Sequence, residues 1–520
     1  MKGLSAEVDF VVVGASIAGL RAAIELAEAG RVLVASKNNL PDLKKADAKG
    51  EAEWLNDEDE VSLHLQDTLD CGDGLCNPQA VKILIEEGAE RIEELIAWVK
   101  QTATKLTFEL ENAHTRVRVL HCQGGSTAKQ VLRILFDKAQ SLKNVAIAQR
   151  TFASELRTEG QKITGISLID EKGMAHEVAC SALLLAVGGL GQIYRNTTNS
   201  QYATADGVAM AFRAGAELSD LEFVQFCPTA LHMKKVPRLL LAESLREEGA
   251  YLRNVELDRF MGKYHPLAER APQDLVSRAI VHEMEVSRAK DPFVYLDLTH
   301  LSGSKVRKHF PRTYEVCMAY NLDITEDLLP VRPAAHYSVG GVRTDLDGRA
   351  SVAGLYAAGE VACTGVHGAN RMPGNSLLEG LVYGARAGKT MRDTESISSR
   401  PSDEPKAAYS SGPVEVGIEE LVGQIQDLMW SEVGIVRMRS GMQKALNALE
   451  EMTPKLNQPK TRRGTEAANL HLAAKLVARS ALAREESRGA HYRLDSPDHD
   501  NKRFLKHSIV RGDKVAFVQN

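Results

Sequence analysis

The chain has 520 residues, of which 44% are hydrophobic and 26% charged, values that exclude collagen-like, low-complexity and disordered proteins. Its formal net charge of -5 at pH 7 gives no electrostatic reason to expect binding to nucleic acid or to an anionic membrane. The length allows about three to four domains at roughly 150 residues each, and the expected partners are small molecules or proteins.

Cysteine usage and the longest apolar run indicate a cytoplasmic protein. The seven cysteines are scattered and show no zinc-binding spacing, which fits reduced thiols better than a disulfide framework, and no metal site is expected. The longest apolar run, residues 182–187, is much shorter than the ~20 residues that cross a bilayer. The first residues also lack the pattern of a signal peptide.

The first predicted elements are a strand, a glycine turn, a helix and a second strand. Residues 10–13 form an apolar run that ends at Gly14, apolar residues then recur at helical spacing until Gly30, and residues 31–35 predict the next strand. This order is the first half of a doubly wound nucleotide-binding sheet. Segments 181–189 and 354–360 are apolar and glycine-ended, so they predict later strands of the same sheet.

The glycine turn itself is an incomplete dinucleotide motif. Gly14 and Gly19 stand at the first and third glycine positions, but Ser16 occupies the middle one. Unsatisfied N–H groups at the following helix N-terminus favour phosphate binding there, although a turn that only joins strand to helix is the alternative. Lys37 stands about where an NAD site carries Asp or Glu, so an ordinary NAD site is not supported.

The rest of the chain predicts three further regions. Residues 221–336 mix helices and short strands and predict a cap inserted into the nucleotide-binding domain, which comprises 1–220 and 337–393. Residues 394–413 have the Ser, Pro and charge content of a linker, and 414–520 predict a helical domain. We therefore predict an α/β fold with a discontinuous doubly wound domain, an α+β capping domain and a C-terminal helical domain.

Several long strings resemble the L-aspartate oxidase family, within the flavoprotein group of succinate dehydrogenase and fumarate reductase. They include EVSLHLQDTLDCGDGLC at 60–76, GLYAAGEVACTGVHGANRMPGNSLLEGLVYG at 354–384 and REESRGAHYRLDSP at 484–497. The resemblance runs almost end to end. It implies non-covalently bound FAD, a mobile cap and oxidation of L-aspartate to iminoaspartate for quinolinate and NAD synthesis, with electrons passed to oxygen or fumarate.

The resemblance also implies which residues form the site. Glu360 would hold the FAD ribose, and Ser376 and Leu377 would present backbone N–H groups to the flavin ring. The cofactor-binding set that it implies is Gly14, Ala15, Ser16, Ile17, Ala18, Gly19, Lys37, Gly50, Asp206, Glu360, Asn375, Ser376 and Leu377. The substrate and catalytic set that it implies is Arg246, Gln273, His336, Arg371 and Glu111. Because aspartate carries two carboxylates, arginine and histidine are the side chains that its pocket needs.

Some positions depart from the family pattern. The loop at 43–60, which in the family wraps the FAD, keeps only Gly50 of its paired glycines. Cys227 replaces a substrate histidine and is interpreted as a small buried hydrophobe, and Gln273 replaces the arginine of the reacting centre. Two alternatives therefore stay open: a non-catalytic homologue that acts as a structural or regulatory partner, for instance in quinolinate synthesis, and a flavoprotein that acts on another dicarboxylate.

Overall fold

The computed structural model describes residues 8–39, 60–98, 127–233, 236, 238–394 and 417–519, together with short strands at 52–53, 106–109, 119–122 and 406–407. Gly50, Glu111 and most of the predicted linker lie outside these ranges. Within them, no helix combines the length and the apolar character needed to cross a lipid bilayer.

The described helices are numbered in chain order. They are α1 (Ile17–Leu26), α2 (Val61–Cys71), α3 (Pro78–Trp98), α4 (Thr127–Ser141), α5 (Asp206–Arg213), α6 (Ser244–Glu247), α7 (Gln273–Val286), α8 (Gly303–His309), α9 (Pro311–Met318), α10 (Asn375–Thr394), α11 (Ile418–Glu432), α12 (Arg439–Met452), α13 (Arg462–Ala483) and α14 (Asn501–Phe504).

The strands are numbered in the same way. They are β1 (Phe10–Val13), β2 (Val32–Ala35), β3 (Ala52–Glu53), β4 (Leu106–Glu109), β5 (Val119–Cys122), β6 (Val145–Ala148), β7 (Phe152–Glu159), β8 (Lys162–Ile169), β9 (Met174–Ala179), β10 (Ala182–Leu185), β11 (Leu218–Ser219), β12 (Val224–Leu231), β13 (Tyr251–Arg253), β14 (Val294–Asp297), β15 (Leu329–Ser338), β16 (Gly341–Arg343), β17 (Leu355–Ala357), β18 (Ala362–Cys363), β19 (Lys406–Ala407), β20 (His507–Arg511) and β21 (Lys514–Val518).

The central sheet is parallel and has the strand order β17-β10-β1-β2-β6. Its strands β1, β2 and β10 are apolar and buried along their whole length, as expected for a parallel sheet that is covered on both faces. Residues of β7, β8 and β9 share a hydrophobic core with one of these faces. Helix α1 packs against α4 and α10 on one side of this sheet. The predicted strands in 181–189 and 354–360 are therefore confirmed as members of the same sheet as β1.

The capping region is built on a four-stranded antiparallel sheet of order β12-β15-β14-β13. Helix α7 packs against β12 and β15. The region has a hydrophobic core of its own, which includes Leu252, Val276 and Leu296. Strand β15 continues to Ser338, so the predicted boundary after residue 336 falls inside a strand.

The C-terminal region contains the predicted helices but does not end in one. Helices α11, α12 and α13 pack on one another, and a short non-helical segment separates α11 from α12. The last residues form the hairpin β20–β21, which extends a sheet of order β18-β16-β11-β20-β21. The predicted helical region therefore also contains a β-hairpin, whose strand β20 pairs with β11, far away along the chain.

Candidate active site

A cleft of about 2060 Å³ lies where the carboxyl ends of the central strands meet the capping region. Residues just after β1, β2, β10 and β17 line it on one side, and segments 227–229, 239–248 and 308–316 line it on the other. The predicted site residues that line this cleft are Gly14, Ala15, Ser16, Ile17, Ala18, Lys37, Asp206, Arg246, Gln273, His336, Glu360, Arg371, Ser376 and Leu377.

The glycine turn packs as tightly as a dinucleotide-binding turn requires. Gly14 has a φ of +110°, and a Cβ built there would lie 2.3 Å from the carbonyl oxygen of Ala186. A Cβ at Gly19 would lie 2.0 Å from the carbonyl oxygen of Gly14. Gly19 does not itself line the cleft. Because it has no Cβ, it allows α1 to pack closely against the end of β1.

Ser16, at the position of the missing middle glycine, is the N-cap of α1. Its hydroxyl accepts a hydrogen bond from the Gly19 N–H at 3.2 Å and donates one to the Ala186 carbonyl at 2.6 Å. The first N–H groups of a helix have no partner inside the helix, and here two of them belong to Ile17 and Ala18, which line the cleft. The turn therefore fits a diphosphate at the helix N-terminus.

Glu360 lines another part of the cleft. Its Oε1 accepts a hydrogen bond from the Ser338 N–H at 3.1 Å, and a Cβ added to Gly189 would come within 2.3 Å of the same oxygen. Burial raises the pKa of this carboxyl, although the Ser338 and Gly189 N–H groups oppose the shift. A carboxylate in this position is a suitable acceptor for ribose hydroxyls, so the residues present fit FAD.

Lys37 lines the cleft, and its ammonium group is surrounded by side-chain oxygens of the same chain. The Nζ atom lies 2.7 Å from Asp206 Oδ2, 2.5 Å from Thr204 Oγ1 and 3.0 Å from Glu466 Oε1. Glu466 belongs to α13 of the C-terminal region. Glu466 was not predicted as a site residue, because no local pattern in the sequence relates α13 to the glycine turn.

Arg371 is a cation with neutral hydrogen-bond partners. Its Nε donates to Gln225 Oε1 at 3.1 Å, and its Nη1 donates to Ser376 Oγ at 3.2 Å. The guanidinium carbon lies 4.8 Å from the ring centroid of Tyr337. Within the described residues, no carboxylate forms a salt bridge with Arg371, so its positive charge is available to an anionic ligand.

His336 stands on the same strand as the Tyr337 ring and is fixed by a hydroxyl. Its Nδ1 lies 2.8 Å from Thr198 Oγ1, and its main-chain carbonyl accepts from Asn199 Nδ2 at 2.6 Å. Strand β15 thus brings His336 to the wall of the cleft that also contains Arg371.

The capping side contributes a connected group of four side chains. Glu243 accepts hydrogen bonds from Gln273 Nε2 through one oxygen and from Arg246 Nη2 through the other, the latter at 2.9 Å. The Cys227 thiol lies 3.8 Å from Gln273 Oε1 and is oriented to donate to it. Arg246 is 1% exposed, so its charge faces Glu243. Glu243 was not predicted as a site residue, although it lies three residues before the predicted Arg246.

Asn375 is placed differently from the prediction. Its Nδ2 donates to Thr68 Oγ1 at 3.1 Å, and its Oδ1 lies 3.1 Å from His64 Nε2, so the side chain is directed towards α2. Asn375 does not line the cleft, whereas the next two residues do. The reason is helical geometry, since α10 begins at Asn375 and presents only one face to the cleft.

Comparisons with known proteins agree with this geometry. The family model described as "FAD binding domain" matches residues 9–377, and that described as "Fumarate reductase flavoprotein C-term" matches residues 423–518. The L-aspartate oxidase of Streptomyces coelicolor is 37% identical, with 98% of this chain and 92% of that protein covered, and L-aspartate oxidase 1 of Ralstonia nicotianae is 37% identical, with 94% and 95% covered.

Solved structures give the same result. A variant of E. coli quinol fumarate reductase superposes with a TM-score of 0.86 at 27% identity, over 98% of this chain and 96% of its own. Mycobacterium smegmatis Sdh1 in complex with UQ1 gives 0.85 at 31% identity, over 99% and 94%. The chain belongs to the L-aspartate oxidase family of FAD-binding flavoproteins.

Proposed function

We propose that the chain is an FAD-dependent oxidase that converts L-aspartate to iminoaspartate. The observation that carries the proposal is that one cleft is lined both by a phosphate-compatible glycine turn and by Arg371, whose charge has no ion-pair partner among the described residues. The relatives that cover nearly the whole chain are named L-aspartate oxidases, which supports the same substrate.

Arg371 and His336 bind the substrate in this proposal. Arg371 receives one carboxylate of L-aspartate through its free N–H groups, while Gln225 and Ser376 hold the guanidinium at a fixed angle. His336, held by Thr198, adds a polar contact to the same substrate. Each charge-assisted hydrogen bond of this kind contributes about 1.5–3 kcal/mol.

The side chains of the capping region hold the substrate in position and do not exchange protons with it. The Gln273 amide has no titratable proton, and its N–H is bound to Glu243. Glu243 in turn fixes Arg246, so that these side chains form one rigid wall above the substrate. Oxidation removes the Cα hydrogen with its electron pair and a proton from the amine, leaving a C=N bond. FAD would supply the two-electron acceptor for that hydrogen, and the amine proton would pass to water.

The wider setting follows from the family likeness. The proposal places iminoaspartate on the route to quinolinate and NAD, with oxygen or fumarate as the final electron acceptor. It also includes a cytoplasmic location and a protein partner from quinolinate synthesis. The cytoplasmic location and the protein partner stay predictions, as do the domain boundaries and the individual site residues.

A flavin spectrum tests the proposal directly. The purified protein is incubated with FAD, freed of excess cofactor and mixed with L-aspartate without oxygen, while absorbance and ammonia release are followed. We expect a yellow protein that L-aspartate bleaches, and an Arg371→Ala variant that stays yellow but is not bleached at the same concentration. A protein that remains colourless after incubation with FAD contradicts the proposal, as does equal bleaching of the two proteins.

A further inference from the structure

The C-terminal helix α13 reaches the wall of the cofactor cleft. Two of its residues, Glu466 and Asn469, contact two residues of the nucleotide-binding region, Lys37 and Asp206. Glu466 Oε1 lies 3.0 Å from Lys37 Nζ, and Asn469 Nδ2 donates to Asp206 Oδ1 at 2.8 Å. Lys37 and Asp206 are themselves 2.7 Å apart, so the four side chains form one chain of polar contacts.

These contacts lie where water screens charge weakly. The side chains of Lys37, Asp206 and Glu466 are 14%, 10% and 9% exposed in their ion pairs. An ammonium group has three protons to donate, and Asp206, Thr204 and Glu466 supply the three closest acceptors around it. The direction of the Lys37 side chain therefore depends on both carboxylates.

Glu466 is held in place from its own helix. Arg462 Nε donates to Oε1 at 3.1 Å, and Arg463 Nη1 donates to Oε2 at 3.3 Å. Burial works against ionisation of Glu466, but Lys37 and Arg462 outweigh it and lower the pKa of the carboxyl. The carboxylate is thus a fixed, charged anchor supplied by the C-terminal region.

We propose that Glu466 and Asn469 are positioning residues of the cofactor site, Glu466 for Lys37 and Asn469 for Asp206, so that cofactor affinity depends on the docking of α13. This inference rests on the proposed function, because it takes FAD as the ligand of the cleft. It assigns to the C-terminal region a direct part in holding the cofactor side of the cleft.

The consequence is a loss of affinity when Glu466 loses its charge. A lysine side chain that is no longer anchored populates several rotamers, and ordering it on ligand binding costs conformational entropy. We expect Glu466→Gln to weaken FAD binding about tenfold, a size that fits the loss of one charge-assisted contact. When Lys37 is already replaced, the charge of Glu466 no longer matters to the cofactor.

A double-mutant cycle measures this dependence. The dissociation constant of FAD is determined by fluorescence titration for the full chain and for Glu466→Gln, Lys37→Met and the double variant. We expect the double variant to bind no more weakly than Lys37→Met alone. The inference would be overturned if the two substitutions weakened FAD binding independently, so that their fold-changes multiplied in the double variant. It would also be overturned if Glu466→Gln left the dissociation constant unchanged or lowered it.

Glu419 provides a matched control on the same face of the C-terminal region. Its Oε1 accepts a hydrogen bond from Arg463 Nε at 2.6 Å. Glu419 therefore pairs with the same arginine that contacts Glu466. We expect Glu419→Gln to bind FAD within about twofold of the parent chain, because a screened surface ion pair contributes little. A tenfold loss in this control would indicate a general effect of α13 packing and overturn the specific role of Glu466.

Folding is checked by thermal unfolding of each variant without cofactor. If Glu466→Gln does not fold, the FAD dissociation constant is measured for Asn469→Ser, Asp206→Asn and the double variant. We expect the double variant to bind no more weakly than Asp206→Asn alone, and independent effects of the two substitutions would overturn the inference. Failure of the parent chain to bind FAD refutes the proposed function itself. FAD binding by the parent chain without coupling refutes only the role of α13.

Discussion

The guanidinium of Arg371 lies over the ring of Tyr337, with 4.8 Å between the guanidinium carbon and the ring centroid. The Tyr337 hydroxyl donates to Glu379 Oε2 at 2.9 Å, and Glu379 also lies 3.1 Å from His367 Nε2. The ring is thus fixed from behind by a buried polar cluster. Arg371 contacts the face of this fixed ring and lines the cleft.

Replacement of Arg371 tests this arrangement. We expect Arg371→Ala to lower kcat/KM for L-aspartate by about 100-fold or more, because two charge-assisted hydrogen bonds to a carboxylate are lost. Tyr337→Phe keeps the ring beneath the guanidinium and is expected to lose less than about tenfold. Steady-state ammonia release measures both. Similar losses in the two variants contradict the role given to the Arg371 charge.

Gln273 allows a test by gain of activity. An arginine there would still reach Glu243 and would add a positive charge beside the substrate, since Gln273 lines the cleft. One preorganised donor at a reacting centre contributes about 10²–10³ in rate, so we expect Gln273→Arg to raise kcat/KM by at least tenfold.

Gln273→Leu is the matched control, because it removes the hydrogen bond to Glu243 without adding charge. We expect it to lower kcat/KM or leave it unchanged. If the arginine and leucine variants have the same kcat/KM, the charge at this position does not assist the reaction.

The parts of the fold that were predicted correctly are those with local patterns. The run from β1 through the glycine turn to β2 is contiguous, and each step has its own residue signature. The β20–β21 hairpin was missed because its partner β11 contributes only Leu218 and Ser219, and the pairing depends on how the C-terminal region docks. A short strand that is buried only by a distant partner carries little signal of its own.

The site also divides into features that local sequence patterns predict and features that depend on the packing of distant elements. The family resemblance pointed to Arg371, His336 and Glu360, and all three line one cleft. The sequence patterns that carry the resemblance are local. They did not indicate that Lys37 would contact Glu466, since that ion pair requires α13 to pack beside α5. They also could not show that Asn375 faces α2, which the rotation of α10 determines.

Ser16 gives a prediction about stability. As the N-cap of α1 it accepts from Gly19 N–H, and replacing such a serine by alanine typically costs about 1 kcal/mol, whereas glycine costs only a few tenths. We therefore expect Ser16→Ala to lower the Tm of the cofactor-free protein more than Ser16→Gly does. Equal losses would show that the hydroxyl bond to Ala186, rather than the cap, dominates.

Glu360 gives a pH dependence of cofactor binding. Burial raises its pKa above the usual 4.5, so the carboxyl takes up a proton at a higher pH than an exposed glutamate does. Protonation removes the charged acceptor that ribose hydroxyls need, and the dissociation constant of FAD is expected to rise as the pH falls towards 4.5. Glu360→Gln should bind FAD more weakly with a flatter pH profile. Parallel profiles for the two proteins contradict this role.

The last prediction concerns the buried pair of His507 and Asp220, which fastens β20 beside β11. Although burial disfavours both charges, Asp220 raises the pKa of His507 above 6.5, and His507 lowers the pKa of Asp220 below 3.8. The raised histidine pKa gives stability that is complete below about 6.5 and is lost as the pH rises through the folded value. The lowered aspartate pKa gives stability that is present above 3.8 and is lost at lower pH. The Tm of the cofactor-free protein should therefore fall as the pH rises above about 6.5, and His507→Gln should be less stable at pH 6 with a flatter profile. An unchanged slope in that variant would show that other groups cause the fall.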